Sequence, residues 1–486
     1  MPFIPTSKLQ VSGYKFLVAR LNHALTRHET SMRQDPARAT ALAQMAGVSL
    51  IALVALAAVA LAYFKPQGLR DSSRIVESRD SSQVFVIIDD ELHPVLNLVS
   101  AQLIVGSPDK PRLVKNQQVQ DMPRGALVGI AGAPAEVVQP RQRDALWAVC
   151  DVIDRPGTAQ PAVSTAVIAG DRQRMLTQDP SAARIVLGPD GATWLFNGGV
   201  RRRINVDDTA LVLGLGLARF PGIDVISADL FNAIPAGRPI ASPVIADAGA
   251  PPAYPVAPGV VIGSVIRVPQ GESSVWYVVL ADGVQQIPAV LAAVIRNNNA
   301  FGAEVAPTVA QDVVAKLPAA VPGLDTKAFP DTPLRSAPSL TQPVTCWQWV
   351  KRSGEQQAAA TMSFLPGPPL DDEQRRLWRH DLVSRPKVSI YVPPGSGFFV
   401  QTTGSDPRSP AKETRWWVSD SGVRYGLIDT GGSGTSAAGA LGLSDPIPAP
   451  WAVLAILASG PGLSKQAALV SQDTVARNGN NAGGRR

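Results

Sequence analysis

Three short runs in this chain of 486 residues hold side chains that can do chemistry. Residues 89–93 place Asp89, Asp90 and Glu91 just before His93, and the run DDEQRRLWRHD sets further carboxylates around His380. A carboxylate oriented against an imidazole is the raw material of general acid–base catalysis. The third run, Gly432-Ser433-Gly434-Thr435-Ser436-Ala437, has the glycine spacing of a loop that cradles a dinucleotide phosphate. Each also has a plainer reading. Asp89, Asp90 and Glu91 lie between two apolar stretches, where turn residues belong, and His93 precedes Pro94. His380 sits in a charged, solvated run. No acid follows the glycine run near the twentieth residue, where a ribose would need one, so its Ser/Gly/Ala composition reads as loop. The Arg201–Arg203 triplet reads as a solvated strand end, with contact to lipid or wall polymer as the alternative. There is no Gly-Lys dipeptide anywhere, hence no Walker-type phosphate loop, and neither HExxH nor GxSxG occurs. No catalytic constellation, metal site or cofactor is expected. A dyad built on His93 or His380 is the residual enzymatic reading.

What must position such residues is a set of hairpins. In VWYVVLADGVQQI (275–287), β-favouring residues run into Asp282-Gly283, which predicts a type I′ turn, and a second strand. Three relatives share its order of aromatic, apolar, polar turn and strand. They are QVFVIIDDELHPVLNL with Asp90 in its turn, TWLFNGGVRRRI with Gly198, and TRWWVSDSGVRYGL with Asp420 and Gly422. Phe85, Trp194, Trp276 and Trp416 align, at uneven spacings of 109, 82 and 140 residues that exclude a regular solenoid or propeller. Apolar segments of helical periodicity trail three of the four. A lone hairpin is marginal in water, so these predict small α/β modules packed on other structure. They are placed near 80–105, 185–217, 274–297 and 414–444. A central β region is expected from about 120–170 and 340–400, and a closing element from 445–486. A Pro-rich excursion separates the second module from the third.

Between Arg38 and Lys65 run 26 uncharged residues, about 39 Å of helix and enough to cross a ~30 Å hydrocarbon core, with Tyr63 and Phe64 where an interfacial aromatic belt lies. The 38 residues before them carry six Lys/Arg, which favours a cytoplasmic N-terminus. Residues 1–38 are thus a cytoplasmic arm, 39–64 a transmembrane helix and 65–486 an external domain. In the arm, Tyr14, Leu17, Val18, Leu21 and Leu25 form one stripe of a helix whose other face carries Lys15 and Arg20. Such a helix lies on the inner membrane surface or docks on a partner. The only cysteines, Cys150 and Cys346, both fall in the external part. Either they form one disulfide in an oxidising compartment or they are two buried thiols. Charge is low and dispersed, without the basic, aromatic-interleaved face that nucleic-acid binding needs.

In ordered succession these segments resemble the EccB family of type VII (ESX) secretion systems of mycobacteria. The likeness runs through QVSGYKFLVARLNHAL, LAYFKPQG, LHPVLNLVSAQLI, MPRGALVGIAGAP, WAVCD, CWQW, SDSGVRYG and PWAVLAILASGPGLSKQAALV, nearly the whole chain. The resemblance implies an α+β protein of the inner membrane. It would have a short cytoplasmic amphipathic helix, one transmembrane helix, and a β-rich, elongated periplasmic domain of four repeat modules around a central domain in quasi-twofold arrangement. It also implies a Cys150–Cys346 disulfide. The implied function is that of a structural subunit that anchors and oligomerises the secretion complex. Its partners would be the EccC motor subunit, EccD, EccE, the mycosin protease and other EccB copies. Members are sometimes labelled ATPases, a label this sequence does not support because it lacks the phosphate loop. The alternatives are a membrane-anchored periplasmic hydrolase and a cell-wall-binding protein.

Overall fold

A computed structural model describes residues 7–28, 36–64, 74–140, 144–158, 161–170, 179–217, 222–429 and 435–472. They fall into two units, Met1–Asp71 and Ser72–Arg486. In the first, a helix spans Lys8–Arg27. Ser7 caps it by accepting from the Gln10 backbone N–H, while the Gln10 side chain accepts from the Ser7 N–H, a reciprocal capping box. Tyr14, Leu17, Leu21 and Leu25 are all exposed along one side, with Val18. The second helix, Pro36–Phe64, contains the apolar stretch Ala39–Ala60, long and apolar enough to cross a membrane and unburied throughout. The side chains of Tyr63 and Phe64 lie outside the described residues.

In the second unit the core is a six-stranded sheet. Its middle strands, Ala145–Asp154 and Val344–Lys351, pair antiparallel. Ala162–Ala169 and Ala359–Leu365 flank them, and Val388–Tyr391 and Arg379–Asp381 complete one edge. The central β region is therefore tighter than the expected 120–170 and 340–400. Residues 122–128 belong to the first module's return, and Phe398–Thr403 opens the fourth module.

Each hairpin proves to be the middle of a larger unit. An opening strand precedes it: Ile75–Ser78, Ala182–Leu187, Val265–Gln270 or Phe398–Thr403. A helix follows, and the chain returns parallel to that opening strand. The return is a strand at Arg112–Val114, Asp224–Val225 and Ile447–Pro450, but a single bridge at Thr308 in the third module. A second short helix leads to another parallel return beside the hairpin's last strand in all four modules, a single bridge from Val284 to Ala319 in module 3. The expected closing element is thus split: Ile447–Leu463 completes module 4, and Lys465–Ala468 packs on the Leu98–Val105 helix of module 1. The fourth module also has a helix, Ala437–Ala440, capped by Ser436. Its Ala-Ala-Gly-Ala carries no periodic signal.

The turns divide by mechanism. Asp89 and Asp90 (φ 48° and 64°), and Gly198 and Gly199 (61° and 79°), are pairs of left-handed residues, as a type I′ turn demands. Gly422 (φ 74°) closes a longer loop. The expected type I′ turn at Asp282-Gly283 is not formed, for neither residue is among those with positive φ. Leu280 donates its N–H to the Gly283 carbonyl, so the two central residues of the turn are Ala281 and Asp282, one position earlier than expected. Glycine serves there through space: a Cβ would lie 2.5 Å from the Pro318 carbonyl oxygen. The returning segment packs over the turn, and Asp282 accepts from the Val321 N–H at 3.0 Å.

Within the second unit, apolar packing joins the modules and the central sheet in series. Trp147, Val149, Trp347 and Trp349 on one face of the central sheet share a core with Phe196 and Leu230 of module 2 and Val400 and Val418 of module 4. Module 1 then packs on module 4, Val99 and Leu103 beside Trp417 and Leu441. Module 3 packs on module 2 through Val290 and Val294 against Leu211 and Leu215. Each large aliphatic side chain buried this way contributes roughly 1.5–3 kcal/mol.

Candidate assembly scaffold

The side chains with chemical potential are held by structure. His93 Nδ1 lies 2.9 Å from the Ala126 carbonyl oxygen, and a Cβ on Gly125 would stand 2.2 Å from its ring. The imidazole is pinned under the first module's return. Glu91 lies 3.8 Å away. His380 occupies an edge strand beside the Arg379–Asp381 ion pair at 2.8 Å. Among the described residues no group of three or more His, Cys, Asp or Glu is placed to hold a metal. Gly432, Ser433 and Gly434 of the glycine run lie outside the described residues.

The chain instead concentrates polar chemistry at junctions between modules and sheet. Cys150 and Cys346 face each other on the paired middle strands with Cα atoms 4.0 Å apart, and a disulfide joins them across a sequence separation of 196 residues. Both are fully buried. Two tryptophans of the opposite face hydrogen-bond outward. Trp147 Nε1 donates to the Pro448 carbonyl of module 4 and Trp347 Nε1 to the Gly199 carbonyl of module 2, each at 3.0 Å. A Cβ on Gly199 would stand 2.4 Å from the Ala360 carbonyl oxygen, so this turn glycine also permits docking.

Two buried ionisable groups fasten module 2. Arg184, 2% exposed, donates through Nε to the Ala337 carbonyl at 2.9 Å, through Nη1 to Thr345 Oγ1, and through Nη2 to the Gln342 carbonyl. Asp224 lies 3.4 Å from it. Burial pushes the guanidinium down to about 10, opposed by Asp224, so it stays charged at neutral pH. From the sheet, Asp151 accepts from the Ser227 N–H at 2.7 Å and from the Ser227 and Thr165 hydroxyls at 2.8 Å. Ser227 is the N-cap of the Ala228–Ala233 helix of module 2.

Burial raises Asp151 from 3.8 to about 6, partly offset by the hydrogen bonds from Ser227 and Thr165. The folded chain thus holds this proton where the unfolded chain has released it, between about pH 4 and 6. The associated stability is complete below pH 4 and is lost as pH rises through 6. Two pK units correspond to about 3 kcal/mol at most. Comparing urea midpoints at pH 4.5 and 6.5, Asp151→Asn should remove this part of the decline seen in the parent chain.

The aligned aromatics take different roles. Phe85 is buried with the Arg124 guanidinium 5.1 Å over its ring. Trp194 meets Phe231 edge-on at 5.3 Å, and Arg201 stacks over both. Trp416 and Trp451 are 5.8 Å apart with Arg424 over both. Trp276 packs at the edge of module 3's own core. Modules 2 and 4, the two on the central sheet, thus repeat an arginine–aromatic stack. The solvated-strand-end reading of Arg201 is corrected: burial within this stack lowers its guanidinium pKa, against the Coulombic pull of Asp190. The signal was present in sequence, as an arginine following the module tryptophan across each turn.

Residues 3–477 match the family model described as type VII secretion system ESX-1, transport TM domain B. The ESX-3 secretion system ATPase EccB3 of Mycolicibacterium smegmatis is 40% identical over 491 residues, covering 97% of this chain and 92% of that protein. The ESX-5 secretion system ATPase EccB5 of Mycobacterium tuberculosis is 36% identical over 97% of this chain and 94% of its own length. Among solved structures, an EccB3 dimer from the ESX-3 core complex is similar at TM-score 0.73 and 38% identity, over 82% of this chain and all of that one. A chain of an intact ESX-5 inner membrane complex is similar over 100% of this chain and 99% of that one, at TM-score 0.70 and 33% identity.

Proposed function

The chain belongs to the EccB family of type VII secretion systems, and from that premise we propose that it is a structural subunit of an ESX inner-membrane secretion complex. The Pro36–Phe64 helix anchors it, the arm faces the cytoplasm, and residues 65–486 form the periplasmic domain through which copies of the chain associate. The exposed stripe of Tyr14, Leu17, Val18, Leu21 and Leu25 docks on membrane-level partners. The partners proposed are the EccC motor subunit, EccD, EccE, the mycosin protease and further copies of this chain.

The observation that carries this reading is where the polar chemistry sits. The disulfide staples the two middle strands of one sheet, and the Arg184 and Asp151 networks and the two indole hydrogen bonds join modules 2 and 4 to that sheet. Such an arrangement makes a rigid body for others to assemble on. Some relatives bear the word ATPase in their names, yet this sequence contains no Gly-Lys dipeptide to start a phosphate loop, and no nucleotide chemistry is assigned to it. The hydrolase and wall-binding alternatives lack support, since each external histidine is held within its strand and Trp194 and Trp416 are engaged in internal stacks with Arg201 and Arg424.

In a strain that depends on this chain for secretion, His93→Ala and His380→Ala should leave both export and recovery of the membrane complex intact. Export lost while the complex still assembled would overturn the scaffold reading in favour of catalysis.

A further inference from the structure

Module 1 holds a cavity of about 460 Å³ that none of the junctions uses. Ile87, Ile88, Val105 and Leu469 give it an apolar wall. The two isoleucines end the strand Val84–Ile88, Val105 ends the helix Leu98–Val105, and Leu469 follows the Lys465–Ala468 helix packed on it. Leu469 and its neighbour Val470 are both exposed. Arg74, Lys465, Asp89 and Asp90 border the same space, and all four are exposed. Their backbones are fixed. The Arg74 carbonyl accepts from the Ile87 N–H at 2.9 Å, Asp89 and Asp90 form the left-handed turn, and Lys465 opens a helix capped by Ser464. Among the described residues, neither cation comes within 4 Å of a carboxylate. Residues 65–73 alone separate Arg74 from Phe64, the last residue of the membrane-length helix. Ten Cα steps reach ~36 Å at most, so chain length tethers this rim near the membrane face.

These features specify an amphiphile. Cations and carboxylates that share a cavity without pairing with each other can take a zwitterion between them. Arg74 and Lys465 suit a phosphate, and Asp89 and Asp90 accept charge-assisted hydrogen bonds from an ammonium. The aliphatic wall suits hydrocarbon, which would remove its exposed apolar surface from water. A sugar lacks the charges, and a small free zwitterion would leave the wall wet. A bilayer lipid supplies phosphate, ammonium and hydrocarbon within the reach of the tether. We propose that this cavity binds a zwitterionic phospholipid carrying a phosphate and a primary ammonium, with the first methylenes of an acyl chain against Ile87, Ile88, Val105 and Leu469. The inference rests on the reading of Pro36–Phe64 as a membrane anchor and goes beyond it by giving module 1 a lipid ligand.

The test is photo-cross-linking of the full chain, purified alone in detergent, with a phosphatidylethanolamine that carries a diazirine near the glycerol end of one acyl chain. Peptide mapping should place adducts on Ile87, Ile88, Val105 or Leu469. Unlabelled phosphatidylethanolamine should compete for them saturably. Phosphatidylglycerol, which has no ammonium, and free phosphoethanolamine, which has no hydrocarbon, should compete far less at equal concentration. Lys465→Gln and Asp90→Asn should each lower the adduct yield about threefold. Both positions are exposed, and asparagine tolerates the left-handed backbone at residue 90. No adduct at these four residues, equal competition by either control, full yield in both variants, or an adduct formed only when other subunits are present would overturn the lipid site. Alkaline carbonate extraction tests the anchor separately. The chain should stay with the membranes, and its release would overturn the anchor reading and the inference with it.

Discussion

Replacing Cys150 and Cys346 together by alanine should lower the unfolding free energy by about 5 kcal/mol, the chain-entropy expectation for a cross-link closing so long a loop. The two cysteines are 196 residues apart in sequence, and modules 2 and 3 lie wholly between them. Freed of the bond, the unfolded chain gains the conformations that the link denies it. In the folded state the same two strands remain paired along eight registered positions, from Val344↔Val152 to Lys351↔Ala145. The double variant should therefore reach the same fold with a much lower urea midpoint. Reducing the parent chain should reproduce that midpoint, and reduction of the variant should change nothing. Equal midpoints for oxidised parent and variant would show that the staple contributes no stability.

Arg184→Met should cost about 3–5 kcal/mol, the usual penalty for breaking a buried, paired charge while leaving its partners in place. Methionine approximates the length of the side chain but abandons Asp224, the Thr345 hydroxyl and the carbonyls of Ala337 and Gln342. The loss should be local in its first effect. Amide exchange should accelerate in the Ala182–Leu187 strand and along Val344–Lys351, while the strands of module 1 keep their protection. Adding Asp224→Leu should recover part of the loss, because it removes a carboxylate that has lost its guanidinium, the recovery being limited by the Ser339 hydroxyl that loses Asp224 as its acceptor. A double variant as unstable as the sum of the two singles would show that the pair is not coupled.

Much of this molecule was legible from side-chain patterns, and the limits have identifiable physical causes. The apolar run from Ala39 to Ala60 and the amphipathic arm depend on periodicity, which a sequence displays directly. Three turns could be read as well, because left-handed backbone selects Asp, Asn and Gly. Gly283 misled for the opposite reason: glycine also serves where another backbone comes close, and that backbone, Pro318–Ala320, lies far along the chain. The returning strands were invisible because they are four residues long at Ile447–Pro450, three at Arg112–Val114, two at Asp224–Val225 and Ala458–Ser459, and single bridges elsewhere, too short for any alternation to register. Arg184 gave no signal, since an arginine within a strand is ordinarily solvent-facing. Only the approach of the segment from Ala337 to Thr345 buries it. The alignment on Phe85, Trp194, Trp276 and Trp416 located the modules, whereas the arginines that follow two of those tryptophans were recognised as their stacking partners only from the fold.

The central claim, that this chain is an assembling subunit and not a solitary enzyme or binder, is tested most directly by purifying the full chain from its own membranes in mild detergent. Native mass should be measured alongside mass spectrometry of whatever co-purifies. The account predicts a particle holding more than one copy of this chain together with other subunits of the secretion machinery, the motor subunit among them. A single copy recovered alone, from membranes in which the other subunits are present, would contradict it.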